Sequence, residues 1–297
     1  MWQAFFIFKS MMENVLRIAI QKSGRLQEGS LQLLKESGLS ISNGKDQLKA
    51  QVRNFPVEIL FLRDDDIPQY VEDKVADVGI VGENVFIEKE KKNTLIKRLD
   101  FAKCRLCLAI PRSEAYTGLQ WFQNKNIATS YPTIVSQFLK KNNIEAGIHE
   151  ISGSVEIAPG IGLADGICDI VSTGSTLLSN GLKEVETVLY SEAVMIATPE
   201  LVQEKQNILN KLLFRIEAVQ KAKNNKYILL NCPNDAIEKI TTVIPGMNSP
   251  TILPLKKEGW SSLHSVVDEN DFWQKIDQLK SFGAQGILVI PIEKMIE

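Results

Sequence analysis

Two short segments with the same pattern lie in different halves of the chain, at residues 74–82 and 166–174. Each is predicted to contain the end of a helix, an aspartate, a short apolar strand and a glycine turn. Apolar runs of this length between turn residues are typical of buried strands. A repeated α/β unit predicts two lobes with a cleft between them. Because the repeated pattern is short, it supports this architecture without establishing it.

The second of these units ends in a turn rich in hydroxyl groups. A strand at residues 170–171 is followed by Ser-Thr-Gly-Ser-Thr at 172–176 and then by a helix that ends near Gly181. The first amides of a helix lack partners and its dipole is positive there, which suits a phosphate monoester. Asp169, predicted at the strand edge just before the turn, is suited to accept from ribose hydroxyls. The pattern indicates a sugar phosphate, although ordinary helix capping explains the turn about equally well when it is taken alone.

Composition limits the class of protein. The 297 residues are 44% hydrophobic and carry a net charge of -2, which allows a large core and two or three domains. This balance gives no basic surface for nucleic acid, and no apolar run reaches the length of a membrane span. Four cysteines without a disulfide-rich layout predict a reduced, cytoplasmic protein.

Cys104 and Cys107 have the C-x-x-C spacing of redox and zinc sites. The chain has no second pair, and the intervening residues favour a strand, on which positions i and i+3 point to opposite faces. A structural role is the preferred interpretation. The two histidines, His149 and His264, have no spacing suited to a metal site or a catalytic triad and are interpreted as structural or surface residues.

Two strands in the first half end in charged turns. The strand at residues 16–20 is followed by Gln-Lys-Ser-Gly-Arg-Leu, in which Lys22 and Arg25 suit phosphate oxygens or are simply solvated charges. The strand at 57–63 is followed by three aspartates, 64–66, and by Ile-Pro. Oxygen ligands of this kind suit Mg²⁺, but a helix start also favours acids and proline, and this interpretation is preferred for two of the three.

The remaining elements complete the predicted architecture. A strand at residues 104–110 crosses to the second lobe, one at 154–158 carries Glu156, and one at 188–196 returns to the first lobe. From residue 225 the order becomes βαββαβ, which is typical of a ferredoxin-like domain. Residues 1–12 are interpreted as an N-terminal extension outside the fold.

Several of these segments resemble one enzyme family, the ATP phosphoribosyltransferases. The central match is Ser-Val-Glu-Ile-Ala-Pro at 154–159, Gly-Leu-Ala-Asp at 162–165, Asp-Ile-Val-Ser-Thr-Gly-Ser-Thr-Leu at 169–177 and Asn-Gly-Leu at 180–182. Residues 21–26, 64–68 and 128–132 extend the resemblance to almost the whole chain. It matches the long, hexameric form that histidine regulates.

The resemblance implies a two-lobed, periplasmic-binding-protein-like catalytic part, with lobe I at 13–107 and 189–224 and lobe II at 108–188, followed by a ferredoxin-like regulatory domain at 225–297. It implies transfer of the phosphoribosyl group of phosphoribosyl diphosphate to N1 of the adenine of ATP, with release of pyrophosphate. This is the first step of histidine biosynthesis. Mg²⁺ is the implied cofactor, and its ligands stay unassigned.

The implied site residues fall into three groups. The catalytic group is implied to stabilise the negative charge of the leaving pyrophosphate or the positive charge on the ribosyl ring. It comprises Lys22, Arg25, Arg105 and Glu156. The substrate-binding group comprises Gly24, Asp66, Ser130, Tyr131, Asp165, Asp169, Thr173, Gly174, Ser175 and Thr176. The regulatory group, expected to bind histidine between neighbouring subunits, comprises Asn231, Met247, Ser249, Thr251 and Ala284. AMP is expected as a further inhibitor. Asn231 stands where some relatives carry an aspartate, which affects the detail of the inhibitor contacts.

Two other hypotheses remain open from the sequence. A solute-binding module would also have two lobes and a cleft, but the chain has no convincing export signal. A catalytically inactive regulatory homologue would lack the intact turn at 172–176 and the C-terminal domain. Both features are present in this chain.

Overall fold

The computed structural model describes residues 15–42, 48–172, 174–247 and 249–296. The predicted extension at residues 1–12 lies outside them. The chain forms two compact units, one reaching Leu209 and the other running from Asn210 onward and including residues 36–38. None of the described helices combines the length and the apolar character that crossing a bilayer requires.

The first unit contains two sheets, and the first of these has six strands. Its order is β2-β3-β1-β4-β11-β5, with β1 parallel to both β3 and β4. The central strands are buried on both faces, as the apolar runs predict. The strands are β1 (Leu16–Gln21), β2 (Lys49–Gln51), β3 (Val57–Leu62), β4 (Val78–Gly82), β5 (Thr94–Arg98) and β11 (Ala193–Ala197), and the helices are α1 (Arg25–Glu36), α2 (Ile67–Glu72) and α3 (Glu83–Lys89).

The second sheet of this unit has five strands in the order β10-β6-β9-β7-β8. The strands β9, β7 and β8 are parallel to one another, whereas β6 runs antiparallel to both β9 and β10. These strands are β6 (Cys104–Pro111), β7 (Asn126–Thr129), β8 (Gly147–Glu150), β9 (Gly166–Val171) and β10 (Leu182–Ser191), and the helices are α4 (Pro132–Lys141) and α5 (Ser175–Ser179). Two apolar clusters cover its faces, one containing Leu106 and Leu108 and the other Cys107 and Ala109.

Three predicted elements were wrong. Residues 154–158 do not form a strand: Val155–Ile157 is a 3-10 turn, because Gly153 and Ser154 both have positive φ and interrupt the extended backbone. Residues 166–168 are not helical, since β6 and β7 pair with β9 on both sides. The single return strand at 188–196 is two strands, β10 and β11, separated by Glu192 where the chain passes from one sheet to the other.

The repeated unit is present, but in a different register from the predicted one. Asp77 precedes β4, and its carboxylate accepts from the backbone amide of Arg17 at 2.8 Å. The residue in the same position of the second sheet is Asp165, which precedes β9 and accepts from the amide of Asn126 at 2.8 Å. The structural counterpart of Asp77 is therefore Asp165 and not Asp169.

The second unit contains a four-stranded antiparallel sheet in the order β13-β14-β12-β15. Its elements follow the predicted βαββαβ order, so the ferredoxin-like prediction is confirmed. They are β12 (Asn225–Pro233), α7 (Ile237–Val243), β13 (Thr251–Pro254), β14 (Trp260–Asp268), α8 (Glu269–Ser281) and β15 (Gln285–Pro291), and α6 (Gln203–Lys223) precedes them. With two α/β sheets joined by two crossings in the first unit, the predicted fold class is confirmed as a whole.

Gly79 provides a test of packing in the first sheet. A Cβ at this position would lie 2.6 Å from Cγ2 of Ile67 and 3.2 Å from Cγ1 of Ile196. We expect Gly79→Ala to lower the free energy of unfolding by about 1–3 kcal/mol, because the surrounding core has to shift. Gly160→Ala is the matched control, since its Cβ would meet only the carbonyl oxygen of Ile157, at 3.4 Å. Equal thermal unfolding curves for the two variants would contradict this packing.

Candidate active site

The carboxyl ends of the parallel strands mark the candidate site. In the first sheet, β1, β3 and β4 lead into the turns at residues 22–25, 63–66 and 82–84. In the second sheet, β7 and β9 lead into residues 130–131 and 172–176. Ligands of open α/β sheets bind at such strand ends. A side-chain hydrogen bond joins the two sets of turns, because Nδ2 of Asn84 donates to Oη of Tyr131 at 3.1 Å.

Tyr131 lies where acidic groups from both sheets meet. Burial is the main reason that its pKa is raised, and the hydrogen bond from Asn84 partly opposes this. The carboxylates of Asp169, from the second sheet, and of Asp64 and Asp65, from the first, raise the pKa further. Acids of both sheets therefore lie near enough to the Tyr131 hydroxyl to affect its pKa.

The turn after β9 forms a pocket of about 170 Å³. Gly174 has a φ of +79°, which favours glycine, and α5 begins at the next residue. The pocket is lined by Glu156, Asp169, Ile170, Val171, Ser172, Gly174, Thr176 and Leu177. Strand, turn and helix thus follow one another as predicted. Ser175 is the first residue of α5, and Thr173 lies outside the described residues.

Two carboxylates share this pocket. Burial raises the pKa of Asp169, the amide of Ile170 at 2.7 Å lowers it, and the charge of Glu156 raises it again. Asp169 lies within β9, not at the strand edge as predicted. Its neighbour in the register is Cys107 of β6. Glu156 reaches the pocket from the 3-10 turn that replaces its predicted strand.

Arg105 lies beside the same turn and is held by an acid that the sequence did not indicate. It is opposite Val171 in the register, and its guanidinium donates to both carboxylate oxygens of Glu184 at 2.8 and 2.7 Å. Hydrogen bonding to Arg105 is the main cause of the lowered pKa of Glu184. No local pattern identifies Glu184, because the pairing of β6 with β10 brings it to Arg105.

Asp165 is not near the turn. It precedes β9, whereas the turn follows β9, and six strand residues span about 20 Å. Its carboxylate accepts from the amide of Asn126, as described above. The structure therefore places Asp165 in a contact that holds β7 to β9, at the opposite end of the strand from the pocket.

The cationic turn after β1 is exposed at the cleft edge of the first sheet. Lys22, Gly24 and Arg25 are all exposed, and Gly24 has a φ of +90°. The amide of Lys22 donates to the carbonyl of Leu62 at 2.8 Å, which ties this turn to the end of β3. The predicted basic turn and the acidic turn after β3 are therefore neighbours.

Within the acidic turn, the structure singles out Asp64, whereas the sequence points to Asp66. Burial is the main reason that the pKa of Asp64 is raised from 3.8 to about 6; the charge of Asp65 adds to the rise, and the charge of Lys89 opposes it. Its Oδ1 atom is buried and finds no hydrogen-bond donor within the described part of the chain. Asp66 is exposed at the start of α2 and makes no capping bond with its side chain. Buried acids with raised pKa values are characteristic of functional sites.

Ser130 and the C-x-x-C pair have structural partners. The Ser130 hydroxyl donates to the carbonyl of Ile151, which joins the end of β7 to the chain after β8. Burial, followed by the Glu184 contact, raises the pKa of Cys107 to about 12, and burial raises that of Cys104. Neither thiol is activated, and all four cysteines are free. A redox role thus gains no support.

The predicted regulatory residues are distributed over the ferredoxin-like sheet, in β12, at the start of β13 and in the segments that precede β13 and β15. Asn231 lies opposite Ser262 and Gln285 in the register, and Thr251 lies opposite His264. Ala284 is buried immediately before β15, whereas Met247 and Ser249 are exposed in the segment before β13. On the same sheet, Nδ1 of His264 lies 2.7 Å from Oη of Tyr227, and Nε2 lies 3.1 Å from Oγ of Ser262.

Known proteins with similar sequences identify the family. The family model described as ATP phosphoribosyltransferase matches residues 63–218, and the model of the HisG C-terminal domain matches residues 222–294. The chain belongs to the ATP phosphoribosyltransferase family. It is therefore an enzyme of the glycosyltransferase class, as predicted, and the C-terminal match agrees with the long form.

Individual relatives agree with this assignment. An ATP phosphoribosyltransferase of Cytophaga hutchinsonii is 58% identical over 286 residues, which cover 96% of this chain and 100% of the relative. One from Azobacteroides pseudotrichonymphae is 60% identical over 95% of this chain and 100% of the relative. A solved ATP phosphoribosyl transferase (HisG:HisZ) complex from Thermotoga maritima gives a TM-score of 0.58 at 28% identity, with 68% of this chain covering 99% of that one.

The raised pKa of Asp64 predicts a stability that depends on pH. Because its pKa is raised, Asp64 favours the folded protein below about pH 3.8, and this contribution is lost as the pH rises through about 6. We expect Asp64→Asn to raise the free energy of unfolding by about 1–3 kcal/mol at pH 7 and to have almost no effect near pH 4.

Asp66→Asn is the matched control, because it removes an exposed carboxyl of the same turn. Denaturant titrations at the two pH values measure the difference. If Asp64→Asn raised the stability equally at pH 4 and pH 7, this would contradict the idea that ionisation of Asp64 destabilises the folded protein.

Proposed function

We propose that the cleft joins N1 of the adenine of ATP to C1 of phosphoribosyl diphosphate. The bond from C1 to the diphosphate oxygen breaks, the new bond from C1 to nitrogen forms, and pyrophosphate leaves with the bonding electrons. The observation that carries the proposal is the pocket after β9, where a glycine turn and a helix start lie beside two carboxylates. This combination suits a ribose phosphate.

Residues on the two sides of the cleft are assigned different roles. The turn at 172–176 holds the 5-phosphate, while Asp169 accepts from the ribose hydroxyls. Glu156 lies beside Asp169 and supports positive charge that develops on the ribosyl ring. The exposed Lys22 and Arg25 and the paired Arg105 balance the charge that leaves with pyrophosphate. Positioning of the adenine against C1 supplies most of the remaining rate.

Mg²⁺ is proposed to enter with the substrates. The described residues contain no group of three or more His, Cys, Asp or Glu side chains arranged to hold a metal ion. Mg²⁺ is commonly bound by one or two carboxylates together with substrate phosphates. Asp64, with an unsatisfied carboxylate oxygen, and Asp169 are the side chains suited to this task. Mg²⁺ would neutralise charge on the diphosphate leaving group.

The ferredoxin-like domain is proposed to bind histidine as a feedback inhibitor, with AMP as a further inhibitor. Asn231 in β12, Thr251 in β13 and Ala284 before β15 offer polar and backbone contacts on this sheet, and Met247 and Ser249 lie in the segment that leads to β13. The predicted domain limits, the hexameric assembly and the cytoplasmic location belong to the same proposal. The match to the HisG C-terminal domain and the four free thiols support it.

Asp169 and Asp165 form a matched pair for testing the catalytic proposal. Both carboxylates belong to the same strand segment, but only Asp169 lines the pocket. We expect Asp169→Asn to lower kcat/KM for phosphoribosyl diphosphate about 10- to 100-fold, because a charged hydrogen bond to the ribose is lost. Asp165→Asn keeps an oxygen for the Asn126 amide, so its effect should be far smaller.

Formation of the ribosylated adenine from ATP, phosphoribosyl diphosphate and Mg²⁺ is followed by absorbance, with a pyrophosphatase present. Equal losses in the two variants would overturn the assignment of the pocket. A folded wild-type protein that binds phosphate but forms no product would favour the solute-binding module or the inactive homologue.

The regulatory proposal has a separate test. We expect Asn231→Ala to raise the histidine concentration for half-maximal inhibition about tenfold, because roughly one hydrogen bond to a charged ligand is lost. The kcat in the absence of histidine should stay unchanged. Asn270→Ala is the matched control, because Asn270 is exposed at the start of α8. Wild-type activity that does not respond to histidine would reject the regulatory role and leave the transferase intact.

A further inference from the structure

The helix α4 starts at the cleft without a cap of its own. Its N-cap residue is Tyr131, whose side chain makes no capping hydrogen bond. The first helical residue is Pro132, which has no amide hydrogen. The next two amides, of Thr133 and Ile134, belong to the group that a helix cannot satisfy internally. A short polar side chain at the N-cap normally accepts from these amides.

A residue of the first sheet's layer satisfies both amides. Oε1 of Glu88 accepts from the amide of Thr133 at 2.9 Å, and Oε2 accepts from the amide of Ile134 at 3.0 Å. Glu88 belongs to α3, which follows β4 of the first sheet, whereas α4 follows β7 of the second. The cap of α4 is therefore supplied from the opposite side of the cleft.

The position of Glu88 on its own helix supports the idea that it stabilises the start of α4. It lies in the last turn of α3, where a negative charge interacts unfavourably with the helix dipole. At the start of α4 the same charge interacts favourably. The acid thus costs its own helix some stability and gains its favourable contacts only across the cleft.

Further contacts surround this cap. Ile87, which precedes Glu88, packs against the apolar cluster of the second sheet. Asn84, one turn earlier on α3, is buried and donates to Tyr131, while its Oδ1 accepts from the hydroxyl of Ser191 at the chain crossing. One face of α3 therefore holds the start of α4 and the residue before it.

We propose that Glu88 is a positioning residue that caps α4 across the cleft, so that opening of the cleft and loss of order in the first turn of α4 are one coupled event. Substrates that bridge the two strand ends would stabilise the capped state. Tyr131, next to the cap, would then be held in its place between the acids of both sheets. The kinetic part of this proposal rests on the proposed function, whereas the coupling itself does not.

Hydrogen exchange tests the coupling directly in the full-length protein. We expect Glu88→Ala to accelerate exchange of the Thr133 and Ile134 amides about five- to thirty-fold, the factor that a lost N-cap implies. Glu88→Gln, which keeps one acceptor oxygen, should give a smaller acceleration. Glu90→Gln is the matched control, because it removes the same charge two residues later and changes an exposed contact with Gln137 of α4, while both capping bonds of Glu88 are kept.

The kinetic measurement separates positioning from a purely structural role. If saturating substrates restore the capped arrangement, Glu88→Gln should raise KM for both substrates several-fold with kcat nearly unchanged. Addition of substrates should also slow the exchange of the two amides in this variant back toward the wild-type rate.

Three results would overturn the proposal. The first is unchanged exchange of these amides in both Glu88 variants. The second is a fall in kcat at unchanged KM, and the third is faster exchange spread evenly over both sheets, since either would indicate a general loss of structure. If Glu88→Ala does not fold, the Glu88→Gln results decide alone. Absence of any transferase activity in the wild type would remove the proposed function, while the exchange data would still test the cap.

Discussion

The structure depends on a short backbone ladder between the two segments that connect the sheets. The amide of Leu99 donates to the carbonyl of Ala193, and the amide of Ala193 donates to the carbonyl of Phe101, each at 2.9 Å. The amide of Glu83 donates to the carbonyl of Glu192 at 2.9 Å. Because the crossings are bonded to each other and to the start of α3, the carboxyl ends of the parallel strands in both sheets face one another. Every proposed substrate contact follows from this arrangement.

The acids of the first unit differ in how well their carboxylates are paired. Glu184 is fully paired with Arg105, and its pKa is lowered. One carboxylate oxygen of Asp64 is buried and has no hydrogen-bond donor among the described residues, and the pKa of Asp64 is raised to about 6. Asp169 lies between these extremes, since the Ile170 amide partly offsets its burial. Paired acids hold the scaffold, whereas unsatisfied acids are suited to bind a ligand that brings its own positive charge or hydroxyl donors.

The C-terminal unit has a hydrophobic core of its own. Its cluster of buried side chains is formed by residues of the ferredoxin-like fold itself, such as Ile228, Leu263 and Phe272. The Thermotoga maritima chain is covered to 99% by 68% of this chain, so the similarity accounts for that whole chain and leaves about a third of this one outside it.

The sequence by itself determined the elements whose signal is local. Apolar runs and turn residues located most strands, the glycine turn before α5 and the βαββαβ order, because strand and helix periods are written in neighbouring residues. Only the tertiary structure decided which acids matter. The raised pKa of Asp64, the pairing of Glu184 with Arg105, the hydrogen bond of Asp165 with the Asn126 amide and the cap that Glu88 provides all depend on burial or on partners distant in the chain. These properties arise from strand pairing and lobe contacts, which no local pattern encodes.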